Sequence, residues 1–76
     1  MRKFKIALNS IEDVKIFTAI MNKELCDADI ISGKYVVDAK SIMGIFSLDL
    51  SKTLELAVHS NDCDELAEKI EKYVVR

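Results

Sequence analysis

Phe4, Ile6 and Leu8 alternate with Lys5 and Ala7, the period-two pattern of a strand with one buried face. Asn9-Ser10 interrupts it. Ser10, with Asp13 three residues on, resembles a capping box in which Asp stands for the usual Glu. Ile11, Val14, Phe17, Ile20, Met21 and Leu25 then recur at helical spacing, which predicts a helix over 11–24. Cys26, Ala28 and Ile30 alternate with Asp27 and Asp29 and predict a second strand. Ser32-Gly33-Lys34 reads as a turn, after which Tyr35, Val37 and Ala39 restart the alternation. Ser41 is a strong N-cap type opening a short apolar helix over 41–48. From Lys52 to Val58 a fourth strand turns Leu54, Leu56 and Val58 one way and Glu55 and Ala57 the other. Asn61 or Asp62 is placed to cap a last helix, with Cys63, Leu66, Ala67, Ile70 and Val74 inward. Glu65, Glu68, Lys69, Glu71 and Lys72 form its solvated face.

The predicted order is β-α-β-β-α-β-α. Four short strands, each with one apolar face, need a cover, and amphipathic helices on one side supply it. The fold class is therefore α+β, an open-faced β-sandwich with three helices on one face. The pattern leaves the strand order open. At 76 residues the chain reads as a single domain over 1–76. Half of its residues are hydrophobic and none is proline, which favours an ordered domain over a linker. A formal net charge of −2 with interspersed signs gives no electrostatic case for nucleic acid or an anionic membrane. No apolar run approaches the roughly 20 residues that span a bilayer, and the basic start leads into a strand rather than a secretory core. Cys26 and Cys63 are far apart without a CxxC, which suits reduced thiols in a cytoplasmic setting. One histidine and two distant cysteines suggest no metal site, and two glycines make no phosphate-binding loop, so no cofactor is expected.

One segment carries more specific information. Lys40-Ser41-Ile42-Met43-Gly44, within 33–50, resembles the signature of HPr, the histidine phosphocarrier family of the bacterial sugar phosphotransferase system. The resemblance implies a four-stranded antiparallel sheet in which the first and fourth strands are neighbours. It also implies regulatory phosphorylation of Ser41 by an HPr kinase/phosphorylase, and docking of protein partners through Lys40, Ile42, Met43 and Phe46. Physical chemistry agrees in part: a helix start favours an added phosphate, and 42–50 holds more apolar side chains than one short helix buries. Ser41 also has an ordinary role as an N-cap, and the apolar residues as core.

In HPr the phosphate-carrying histidine opens the first helix, with an arginine two residues later. Counting from the first strand places Glu12 at the histidine position, Val14 at the arginine position and Lys15 where proline is usual. A carboxylate repels an incoming phosphoryl group, so the catalytic site reads as absent and the chain as no enzyme. Glu12 and Asp13 instead put negative charge at a helix start, where it is stabilising. The one histidine, His59, ends the fourth strand, and the two arginines are Arg2 and Arg76. The leading expectation is a non-phosphotransferring regulatory HPr-like protein, of the kind implied by catabolite-repression relatives that lack the histidine and keep the serine. Val14 at the arginine position argues against binding to the usual catabolite-control repressor. Two other classes remain open: a working carrier using His59 or Glu12, and a structural module, monomer or weak homodimer, joined through Met43 and Phe46.

Overall fold

The computed structural model describes residues 1–60 and 62–75. Four strands form one antiparallel sheet: β1 (Arg2–Ile6), β2 (Ala28–Ser32), β3 (Tyr35–Asp38) and β4 (Leu54–Val58). Their order is β1-β4-β2-β3, so the fourth strand in sequence separates the first two. Register explains which side chains go inward. Phe4 lies opposite Leu56, Leu56 opposite Ile30 and Ile30 opposite Val37, which gives one apolar row across all four strands. The next row on the other face runs Lys3, Ala57, Asp29 and Asp38.

Three helices cover the apolar face: α1 (Ile11–Asn22), α2 (Ile42–Phe46) and α3 (Asp64–Lys69), the last followed by a 3-10 turn over Glu71–Tyr73. Ser10 caps α1, its Oγ accepting the Asp13 N–H at 3.1 Å, while Asp13 Oδ2 accepts the N–H of Asn9 at 3.1 Å. The box closes one residue earlier than usual, on the N–H preceding the cap. Val14, Phe17 and Met21 are buried along α1, and the Thr18 hydroxyl is satisfied by the Val14 carbonyl at 2.9 Å. Phe17 meets Tyr73 edge to face, with ring centroids 5.9 Å apart, which anchors the C-terminal turn in the core. Beyond that turn the chain returns to the sheet. Val74 bridges Ile6, and the Val75 N–H donates to the Lys5 carbonyl at 2.7 Å.

Four expectations from the pattern need correction. α1 stops at Asn22 because its last turn tightens, with Lys23 N–H donating to the Ile20 carbonyl and Glu24 N–H to the Met21 carbonyl. Leu25 therefore falls outside the helix and is fully exposed, and Ile11 is exposed as well. β4 begins at Leu54, after a loop in which Asp49 accepts from the Ser51 N–H and hydroxyl. Those two bonds, with Lys52 a smaller influence, hold the Asp49 carboxyl below its ordinary pKa. Ala57 lies on the outer face, as the alternation predicts, and is nonetheless buried, flanked by Lys3 and Asp29 on the two neighbouring strands. α3 starts after Cys63 without a side-chain cap, so Asp62 does not cap it; Asn61 lies outside the described residues. Tyr73 is buried and the expected inward Val74 packs only part-way against the core, since the helix breaks after Lys69 and the tighter 3-10 turn, with fewer residues per turn, changes the phase.

Cys63 is buried and Cys26 partly so, both as free thiols packed on the core. Lys69 ties α3 to the end of α1, its Nζ 3.1 Å from Glu24 Oε2 and 3.2 Å from Glu65 Oε1, and these carboxylates raise its pKa. Phe17 is completely buried and Leu25 completely exposed. Phe17→Ala is expected to lower the unfolding free energy by about 3–5 kcal/mol, and Leu25→Ala to change it by less than about 0.5 kcal/mol. Urea unfolding followed by circular dichroism measures both.

Candidate interaction site

The loop from β3 into α2 is built by local hydrogen bonds. The Asp38 carboxylate accepts the Lys40 N–H at 2.9 Å, and the Asp38 carbonyl accepts the Ser41 N–H at 3.0 Å. Ser41 then caps α2: its backbone is extended, and its Oγ accepts the Gly44 N–H at 3.2 Å. Gly44 is needed for close approach rather than for an unusual φ. A Cβ there would lie 3.2 Å from Ser41 Oγ and 3.3 Å from the Cβ of Val37 on β3. The glycine thus lets the first turn of α2 press on both its own cap and the sheet.

This loop is fastened to the far end of α1. Asn22 Nδ2 donates to the Thr18 carbonyl at 2.8 Å and to the Lys40 carbonyl at 3.1 Å, and Lys40 Nζ donates to the Glu24 carbonyl at 3.0 Å. Lys40, expected as a partner contact, is thus half-buried with its ammonium bonded within the chain. The first turn of α1, with Ser10, Glu12 and Asp13, lies at the opposite end of a helix about 18 Å long at 1.5 Å per residue. Glu12 and Val14 part company there: Glu12 is exposed in the first turn, whereas Val14 is fully buried.

The apolar residues of 42–50 divide between core and surface. Ile45 and Leu48 are buried, and Ile42 and Leu50 are packed part-way against the core. Met43 is 75% exposed and Phe46 36% exposed. Ser41 is exposed too. A hydroxyl, a thioether and an aromatic ring are thereby presented on one short helix and its cap.

His59 lies elsewhere, beyond the end of β4. Its N–H donates to the Asp27 carbonyl at 2.8 Å, and its Nε2 is 2.7 Å from Asp29 Oδ2. Its surroundings are acidic. Among the described residues no group of three or more His, Cys, Asp or Glu is arranged to hold a metal ion, and no helix is long and apolar enough to cross a membrane. Sequence reasoning missed Asn22 and Glu24 as the anchors of Lys40, because contacts 16 and 18 residues apart leave no periodic trace.

The sheet order, the helices on one face and the serine-capped α2 together define an HPr-like fold. The crystal structure of HPr-C-His from Thermoanaerobacter tengcongensis superposes with a TM-score of 0.79 at 23% identity, covering 95% of this chain and 89% of that one. A phosphocarrier protein HPr from Bacillus anthracis str. Ames superposes with a TM-score of 0.72 at 25% identity, covering 97% of this chain and 94% of that one. No protein-family model and no curated protein matches the sequence.

The cap geometry makes a direct prediction. Ser41→Ala removes the acceptor for the Gly44 N–H and is expected to cost about 1 kcal/mol, while Ser41→Asp keeps a capping oxygen and most of the stability. Thermal melts of the three proteins distinguish the two effects.

Proposed function

We propose that residues 1–76 form one HPr-like domain that acts by protein contact in the cytoplasm rather than by carrying phosphate. Its partners are proteins of the sugar phosphotransferase system or of carbon-source regulation, and phosphorylation of Ser41 is the switch. The single observation that carries this reading is the character of the two helix starts. The first presents Glu12 beside Asp13, where a transferred phosphoryl group would meet two carboxylates; the second presents an exposed serine hydroxyl at a helix cap beside Met43 and Phe46.

Transfer to Ser41 follows simple chemistry. The hydroxyl attacks the γ-phosphorus of ATP, ADP leaves, and the hydroxyl proton passes to a base of the kinase. The product gains about −1.5 to −2 charge at pH 7. Its oxygens lie at the start of α2, where the free N–H groups and the helix dipole favour anions. A charge there alters the face that Met43 and Phe46 offer to a partner more than it alters the fold. Ile42 supports the same face from its half-buried position, and Lys40 positions the loop through Asn22 and Glu24.

The reading of His59 as a displaced phosphate carrier gains no support from its neighbours. The Asp29 carboxylate holds the ring at 2.7 Å, so an incoming phosphoryl group faces repulsion rather than a cationic cradle. Glu12 has the same difficulty.

Purified HPr kinase/phosphorylase with ATP tests the switch. Label is expected on the wild-type chain and absent from Ser41→Ala, and Met43→Asp is expected to slow labelling about tenfold or more if the exposed thioether is a docking contact. No label on the wild type, or label that persists in Ser41→Ala, contradicts the proposal.

A further inference from the structure

The two outer edges of the sheet are treated differently. The β1 edge is covered at its C-terminal end by the chain's own C-terminal segment: Ala7 N–H donates to the Tyr73 carbonyl at 2.8 Å, Val75 N–H to the Lys5 carbonyl at 2.7 Å, and Val74 bridges Ile6. The β3 edge has no such cover among the described residues. Its inner side is fixed by the Ala39 N–H, which donates to the Ala28 carbonyl at 3.0 Å. Antiparallel pairing alternates, so the N–H groups of Val37 and Tyr35 also face β2, and those of Val36 and Asp38 face outward. Tyr35 is 71% exposed and Val36 60% exposed. An edge with outward N–H groups, exposed apolar side chains and no proline is a template for another strand.

We propose that β3 pairs antiparallel with β3 of a second copy of this chain, about a two-fold axis through Val36. The sequence of the edge is complementary to itself in that register. Val36 faces its own symmetry mate, and because its N–H and carbonyl point outward the two residues exchange a pair of hydrogen bonds. Tyr35 lies opposite Val37 of the second copy, an aromatic residue against a β-branched one. Lys34 lies opposite Asp38 at both ends. Charge also discriminates between registers. Sliding the pairing one way by a two-residue step sets Lys34 against Lys40, and sliding it the other way sets Asp38 against Ser32 and leaves both charges unmatched.

The charges at an edge usually block such pairing, but here their order is attractive under two-fold symmetry. Lys34 makes no ion pair with any described residue, and Asp38 lies directly opposite Asp29 on β2. The lysine of a second copy supplies the cation that Asp38 lacks in the monomer. The result is a continuous eight-stranded sheet with the helices of both copies on one face.

Sedimentation velocity from micromolar to millimolar protein at low salt tests this, with circular dichroism to establish that each variant is folded. The wild type is expected to pass from monomer to dimer as concentration rises. Lys34→Glu and Asp38→Lys are each expected to weaken association about tenfold, and the two together to restore it. Val36→Pro removes an outward N–H without touching the inner ladder and is expected to abolish the dimer. Slower hydrogen exchange at the Val36 amide with increasing concentration supports the same register. A wild type that stays monomeric throughout, a dimer indifferent to Lys34→Glu and Val36→Pro, or a double charge variant no tighter than the single ones overturns the proposal.

Discussion

The apolar row Phe4–Leu56–Ile30–Val37 is the contact on which the rest of this structure depends. It joins all four strands at one level and turns four side chains to the helices at once. A shift of one residue in any pairing would point that strand's apolar set at water and its charges at the core. β4 lies in the middle of the row, so β1 and β2, adjacent in sequence but for one helix, never touch as neighbours. Long-range pairing of this kind is entropically costly to close, and the buried row with its covering helices offsets that cost.

Once the row is set, the positions of the two helix starts follow. Val37 ends the row on the edge strand, and Gly44 allows α2 to lie directly against it. Asn22 and Lys40 then lock the same loop to the end of α1. The serine cap and the exposed Met43 and Phe46 are therefore carried on a rigid corner rather than on a free loop. The first turn of α1 is a separate place, held by Ser10 and Asp13 and facing solvent with carboxylates. The two helix starts are thus physically separate surfaces, at opposite ends of α1.

Much of this was legible in the residues. Alternation in β1, β2 and β4 and the spacing of Val14, Phe17 and Met21 marked the buried faces, and both serine caps were visible as residue types before a periodic run. The strand order came only through the resemblance of 40–44, since no local pattern records which strands meet. Departures arose where tertiary geometry overrode period. Leu25 continues a helical spacing after the helix has ended, and Tyr73 takes the inward place when α3 gives way to a 3-10 turn. The bonds from Asn22 and Glu24 to Lys40 were invisible for the same reason.

The proposal that this chain does not relay phosphate rests on charge at one helix start. Imidazole near neutral pH can take and pass a phosphoryl group, and a guanidinium can neutralise it; Glu12 and the buried Val14 offer neither. Incubation with enzyme I and labelled phosphoenolpyruvate, beside a competent HPr, is the most direct measurement. The HPr should acquire acid-labile label while this chain stays unlabelled. Stable acid-labile phosphate on any of its residues would show that relay chemistry persists and would contradict the account.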